Sequence, residues 1–309
     1  MRISIFGVGS IGGVLAASLA QYTDAAIHLH VRGVWGSKLL IDGLQVEGES
    51  SISVDPNSFD FSFDEHDFPS SLEHTSDVVI ICSKAPDLEQ ILPYVVSTRK
   101  PNGIVCILSN GLGLVEIARR HLPPDAIMYA TTTHGAYREE FKIMWAGNGA
   151  IQLGAMNSAV HQDTVEQFIS MLDQARLNPE FKEDGRAMIW EKALLNVSIN
   201  PIAALTGKRN GELLSTEIFQ HCMSVFKEAA TIARYEGIQV MDEIHFEKRL
   251  THVLLSTSEN QCSMLQDLHF GRKTEIDFLN GKVVELAEKH GIPTPLNAIL
   301  TSMVRSCHP

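Results

Sequence analysis

A chain of 309 residues exceeds the size at which one hydrophobic core keeps growing, so two domains are expected, and an apolar share of 44% is ample to fill them. With 25 Lys and Arg against 37 Asp and Glu, the net charge of −12 argues against a nucleic-acid or anionic-membrane partner, both of which need a concentrated basic surface. Any site for an anionic cofactor must therefore be local. The five cysteines, Cys82, Cys106, Cys222, Cys262 and Cys307, have no metal-ligand spacing and suit a reducing cytoplasm, and no stretch of about 18 apolar residues offers a membrane span.

The chain opens on an apolar run that reads as a strand, followed by Gly7-Val8-Gly9-Ser10-Ile11-Gly12 and a helical pattern over Val14 to Gln21. A GxGxxG between strand and helix is what a dinucleotide-binding turn requires. Gly7 allows the tight turn, Gly9 lets backbone approach a pyrophosphate, Gly12 lets helix and strand pack closely, and the helix N-terminus offers unpaired N–H groups to the anion. Arg2, the apolar run and the small residues Ala16 to Ala20 superficially resemble a signal peptide, but four glycines inside the run weaken that reading, and export is discounted.

A second strand spans Ala26 to Arg32. At its end an NAD-binding domain usually carries an acid that accepts from the ribose 2′-hydroxyl. Arg32 cannot accept a hydrogen bond but pairs well with a 2′-phosphate, which favours NADP over NAD; the alternative is a solvated strand-end arginine. The stretch Ser50 to His74, with Asp55, Asp60, Asp64, Glu65 and Asp67, reads as edge strands and loops with an acidic solvated face. Apolar runs recur at Val78–Ile81, Ile104–Leu108 and Ile127–Ala130, with helical patterns at Leu88–Val96 and Leu114–His121 between them, which implies a parallel, doubly wound sheet. Ligands of such sheets collect outside the carboxyl ends of the strands, where Lys84 and Asn110 fall. Each has a plain alternative, a surface lysine and an Asn-Gly turn.

Beyond Gly154 the pattern is mainly helical, over Val165–Gln174, Arg186–Thr206, Ser215–Glu236, Glu243–Ser258 and Thr274–Lys289, and a boundary near residue 183 divides the chain into 1–183 and 184–309. A short hinge of that kind would leave a cleft between domains. Lys192, Asn196 and Asn200 recur at successive fours and drift only about 80° around a helix, so they form one polar stripe on an otherwise apolar segment. Such a stripe faces a cleft, is satisfied in the interior, or faces solvent. A second polar group, Asn260 and Ser263, precedes Glu275, which either keeps a nearby lysine protonated or is an ordinary exposed acid in the first turn of a helix.

Taken together, GVGSIGG, Arg32, CSKAPD with Lys84, SNGLG with Asn110, TTTHGA with His134, EKALLNVSINPIAALTG and SMLQDLHFGRKTEIDFLNG resemble the ketopantoate reductase family, over nearly the whole chain. The resemblance implies an N-terminal Rossmann domain and an all-helical C-terminal domain, with NADPH and a 2-oxo acid in the cleft. It assigns Gly7, Val8, Gly9, Ser10, Ile11, Gly12, Arg32 and Lys84 to NADPH, with Asn110 where nicotinamide meets substrate. It makes Lys192 the general acid, Glu275 the acid that orients it, and Asn110, Asn196, Asn200, Asn260 and Ser263 the substrate-binding groups, with no metal. The implied reaction is reduction of ketopantoate to pantoate, a step of pantothenate and coenzyme A biosynthesis. Asp87, three residues after Lys84, departs from the pattern and would weaken or redirect cofactor contacts. Two alternatives stay open: a paralogue that reduces another 2-oxo acid, and a non-catalytic NADP(H)-binding sensor. The helical half could supply a homodimer surface.

Overall fold

The computed structural model describes residues 1–64, 66–155 and 161–308, so Glu65 lies outside the described residues. The chain divides into two compact units, Met1–Ser109 with Leu114–Gly185, and Asn110–Gly113 with Arg186–Pro309.

The first unit runs β1 (Arg2–Phe6), α1 (Ser10–Tyr22), β2 (Ala26–Val31), α2 (Gly33–Asp42), β3 (Leu44–Gly48), β4 (Ile52–Val54), β5 (Phe59–Phe63), β6 (Ser76–Ile81), α3 (Leu88–Thr98), β7 (Arg99–Ile107), α4 (Leu114–Ala118), β8 (Ile127–Thr132), β9 (Gly135–Glu139), β10 (Lys142–Gly147), β11 (Ile151–Ala155), α5 (Gln162–Gln174) and β12 (Pro179–Lys182). Eight strands form one sheet in the order β12-β11-β8-β7-β6-β1-β2-β5. It is parallel from β8 to β5, while β11 runs antiparallel to β8 and carries β12 alongside it in parallel. The strand order reverses between β1 and β6, and this switch point is where ligands of open α/β sheets bind.

A four-stranded sheet, β4-β3-β10-β9, is missed by local patterning, as are β11 and β12 at one end of the large sheet. Its inward side chains Leu44, Val46, Ile52, Ile143 and Trp145 join the same core as Val14 and Leu15 of α1. The packing is close enough that a Cβ on Gly13 would meet Ile143 Cδ1 at 2.0 Å. The acidic Ser50–His74 stretch does supply edge strands: β4 ends the small sheet and β5 the large one.

Strand β2 alternates apolar and histidine residues, which on its own reads as one wet face, but all its residues after Ala26 are buried. A hydrogen-bonded row makes that burial tolerable. Asp64 can only accept, so His30 Nε2–H donates to Asp64 Oδ1 (2.6 Å) and His30 Nδ1 accepts from Ser62 Oγ–H (2.7 Å). His28 Nε2–H then donates to Ser62 Oγ (2.8 Å), and His28 Nδ1 accepts from Ser4 Oγ (2.9 Å), whose oxygen lies 2.6 Å from that of Ser76. Burial above all, with the neighbouring His30 and Arg2, lowers the His28 pKa to about 3, so its ring is neutral.

The second unit is built from α6 (Gly185–Thr206), α7 (Thr216–Tyr235), α8 (Glu243–Ser256), α9 (Ser263–His269), α10 (Asn280–His290) and α11 (Pro295–Ser306). Its core includes Val197, Leu250 and the stacked rings of Phe226 and Phe246, 3.6 Å between centroids. Pro201 sits inside α6 and has no N–H to offer the carbonyl of Val197. Asn280 replaces the missing donor: its Nδ2 donates to Val197 O at 3.0 Å and to Asn297 Oδ1 at 2.9 Å. Asn297 Nδ2 in turn donates to Glu228 Oε2 at 2.8 Å, and that carboxylate also takes the backbone N–H groups of Leu296 and Asn297 at the start of α11. One polar network thus ties α6, α7, α10 and α11 together.

Candidate functional site

In the first unit the glycine turn has the shape that an anionic dinucleotide needs. Gly7 has φ +90°, and a Cβ there would lie 2.2 Å from Ser83 N, so this strand end abuts the end of β6 across the switch point. A Cβ on Gly12 would meet Gly7 O at 2.3 Å, whereas one on Gly9 would meet nothing within 4 Å among the described residues. The open side of the turn is therefore at the glycine through which backbone would approach a pyrophosphate. Helix α1 starts at Ser10 with no acidic residue in its first turn and no side chain capping it, which leaves N–H dipoles for an anion. Trp35 Nε1 donates to Val8 O at 2.5 Å and holds the turn from the α2 side. These residues fit the phosphates of a dinucleotide.

Arg32 follows β2 as the N-cap of α2, and its guanidinium is not idle: Nη2 donates to Asp87 Oδ2 at 2.6 Å. Lys84 lies just after Ser83, at the same sheet edge as the glycine turn, and Ser109 Oγ donates to Ser83 O at 2.5 Å to tie the ends of β6 and β7.

In the second unit Lys192, Asn196 and Asn200 lie on α6, as the fours spacing requires. Lys192 and Asn196 are half-buried, and Asn200 is buried. Burial pulls the Lys192 amine down to about 8, and the Glu275 carboxylate works in the opposite direction. Glu275 is 8% exposed, so it is not the exposed first-turn acid of one long helix over Thr274–Lys289. A single 3-10 turn, Ile276–Phe278, follows it, and α10 begins only at Asn280. At this break the Asn110–Gly113 loop steps in, Leu112 N–H donating to the Phe278 carbonyl at 2.7 Å. The same loop delivers Asn110, whose Nδ2 donates to Glu275 Oε2 at 3.3 Å. The preceding Thr274 is held from the chain's end, with Oγ1 2.9 Å from His308 Nε2.

Asn110, Lys192 and Glu275 are thus brought together. Asn260 and Ser263 have exposed side chains on the segment leading into α9, which Cys262 fastens to α6 by donating from Sγ to Asn200 O at 3.6 Å and accepting from Leu265 N–H at 3.4 Å. Cys262 is a buried cap, and burial raises its pKa to about 11. His134 is buried too, with Nε2 on Leu177 O (3.1 Å) and Nδ1 accepting from Gly149 N–H (3.0 Å), so it clamps loops. Asn280 and His308 were beyond sequence reasoning, because no local spacing links them to the partners they hold.

The family model described as ketopantoate reductase PanE/ApbA matches residues 3–158, and that described as ketopantoate reductase PanE/ApbA C terminal matches residues 184–308. The 2-dehydropantoate 2-reductase of Archaeoglobus fulgidus is 29% identical over 309 residues, covering 98% of this chain and 97% of its own. That of Vibrio cholerae serotype O1 is 28% identical over 314 residues, covering 99% and 97%. Among solved structures, a ternary complex of D-mandelate dehydrogenase with NADH and anilino(oxo)acetate matches with a TM-score of 0.90 at 23% identity, over 99% of this chain and 98% of that one. A PanE/ApbA family ketopantoate reductase from Ralstonia eutropha JMP134 matches with a TM-score of 0.86 at 23% identity, with the same coverage.

Proposed function

The chain belongs to the ketopantoate reductase family, and we propose that it reduces ketopantoate to pantoate with NADPH, as a step of pantothenate and coenzyme A biosynthesis. The observation that carries this reading is the polar cluster of the helical unit, a lysine with its pKa pulled to about 8 beside a buried carboxylate that an asparagine amide engages. When bound, the nicotinamide supplies a hydride to the C2 carbonyl of the 2-oxo acid. Negative charge then builds on the carbonyl oxygen, where protonated Lys192 neutralises it and gives up its proton, a contribution of roughly 10²–10⁴-fold. Glu275 keeps the amine charged, and Asn110 holds the carboxylate in place. Asn196, Asn200, Asn260 and Ser263 offer neutral donors and acceptors to the substrate's carboxylate and hydroxyl, so no second charge competes with Lys192.

On the first unit, the amides of Gly7 to Gly12 would receive the pyrophosphate, Arg32 the 2′-phosphate, and Lys84 a phosphate or ribose. All five cysteines are free thiols, as a reducing cytoplasm would keep them.

The relatives that match in sequence support ketopantoate. The fold leaves the acid's side chain open, because a D-mandelate dehydrogenase shares it. Steady-state oxidation of NADPH and of NADH with ketopantoate, beside a panel of other 2-oxo acids, decides the matter. The proposal expects the highest kcat/KM for NADPH with ketopantoate. Turnover with a different acid alone would make the chain a paralogue with the same Lys192 chemistry, and NADPH binding without turnover would make it a sensor.

A further inference from the structure

Asp87 stands at the N-cap of α3, where an aspartate ordinarily accepts from the N–H of the second or third helical residue, yet its side chain makes no such bond. It is committed elsewhere. Its Oδ2 accepts from Arg32 Nη2 at 2.6 Å, across 55 residues of sequence. The segment that carries it starts at Lys84, directly after Ser83, whose backbone abuts Gly7. The acid, the arginine and the glycine turn therefore share the carboxyl edge of one sheet.

We infer that Asp87 is a specificity-determining residue, an internal carboxylate that competes with the cofactor's 2′-phosphate for Arg32 and so narrows the preference for NADPH over NADH. This rests on the reading above, in which a nicotinamide dinucleotide lies on the turn with its adenosine end at Arg32. An ionised carboxylate is an acceptor only, and a guanidinium can serve either anion. NADPH must displace or share the Arg32–Asp87 pair and brings its dianion close to the Asp87 charge. NADH brings no charge there. It leaves the pair intact, and its ribose hydroxyls can donate to the carboxylate. With side chains 58% and 26% exposed, the pair is solvated and screened by salt, so the penalty on NADPH is about two- to fivefold and fades as ionic strength rises.

The test is a fluorescence titration of NADPH and of NADH against the wild-type chain, Asp87→Asn, Asp87→Ala and Arg32→Ala at low salt, with KM for each cofactor in parallel. Both Asp87 variants should tighten NADPH about two- to fivefold, leave NADH unchanged or weaker, and register in Kd and KM. Adding salt should shrink the difference. If Arg32→Ala weakens NADPH selectively while both Asp87 variants keep the wild-type ratio of the two Kd values, the competition is refuted and the site reading stands. If Arg32→Ala weakens both cofactors equally, Arg32 does not read the phosphate, and the inference falls together with that part of the reading.

Discussion

At Lys192 two opposing effects meet, burial that disfavours the ammonium and a carboxylate that favours it, and burial is the larger, leaving the amine at about 8. A general acid works while protonated, so the rate of reduction should be level below that value and fall as pH rises through it. Removing the Glu275 charge removes an influence that raises the amine. Glu275→Gln should therefore move the alkaline limb of the kcat profile to lower pH and lower its plateau; a limb left in place would mean that Glu275 does not couple to Lys192. The residue types were legible, since the fours spacing of Lys192, Asn196 and Asn200 survives in α6. The burial of Glu275 was not, because a partner such as Asn110 lies 165 residues away in sequence.

Elements carry costs that single residues hide. In α6, Pro201 strips the Val197 carbonyl of its helical donor, and Asn280 from α10 supplies another. Asn280→Ala leaves that buried carbonyl unpaired and should cost about 1–3 kcal/mol in urea unfolding, whereas an exposed asparagine of the same unit such as Asn260 should cost well under 1. Strand β2 holds a comparable debt in His28, whose folded pKa is about 3 against an ordinary 6.5. The unfolded chain takes up that proton as pH falls below about 6.5 while the folded chain does not until about 3, so the stabilising neutral form is fully effective above 6.5 and lost across that window. Roughly 2 kcal/mol should disappear between pH 7 and pH 5 from this residue alone. Unfolding at both pH values should show a smaller loss for His28→Gln; equal losses would place the acid sensitivity elsewhere. The strand itself was legible, but the burial of its histidines was not, because the polar partners Ser4, Ser62 and Ser76 come from three other strands.

For the molecule as a whole, strand–helix alternation was enough to read the parallel sheet and the helical second half, since each of those strands and helices carries its own apolar run or helical spacing, even where, as for β1 and β6, the partner lies 75 residues away. The small sheet was invisible because Val46 of β3 pairs with Ile143 of β10, and nothing local announces so distant a partner. On the proposed function, the anionic cofactor of a chain with net charge −12 falls to a local set of groups, the turn amides with Arg32 and Lys84, on the first unit. The candidate acid–base group lies in the second. On that reading binding and chemistry belong to different units. The measurement that tests it most directly is NADPH oxidation with ketopantoate by Lys192→Ala beside the wild-type chain, with the NADPH Kd of each. The account predicts a loss of turnover of at least about 100-fold with the Kd nearly unchanged; an unchanged turnover would remove Lys192 from the mechanism.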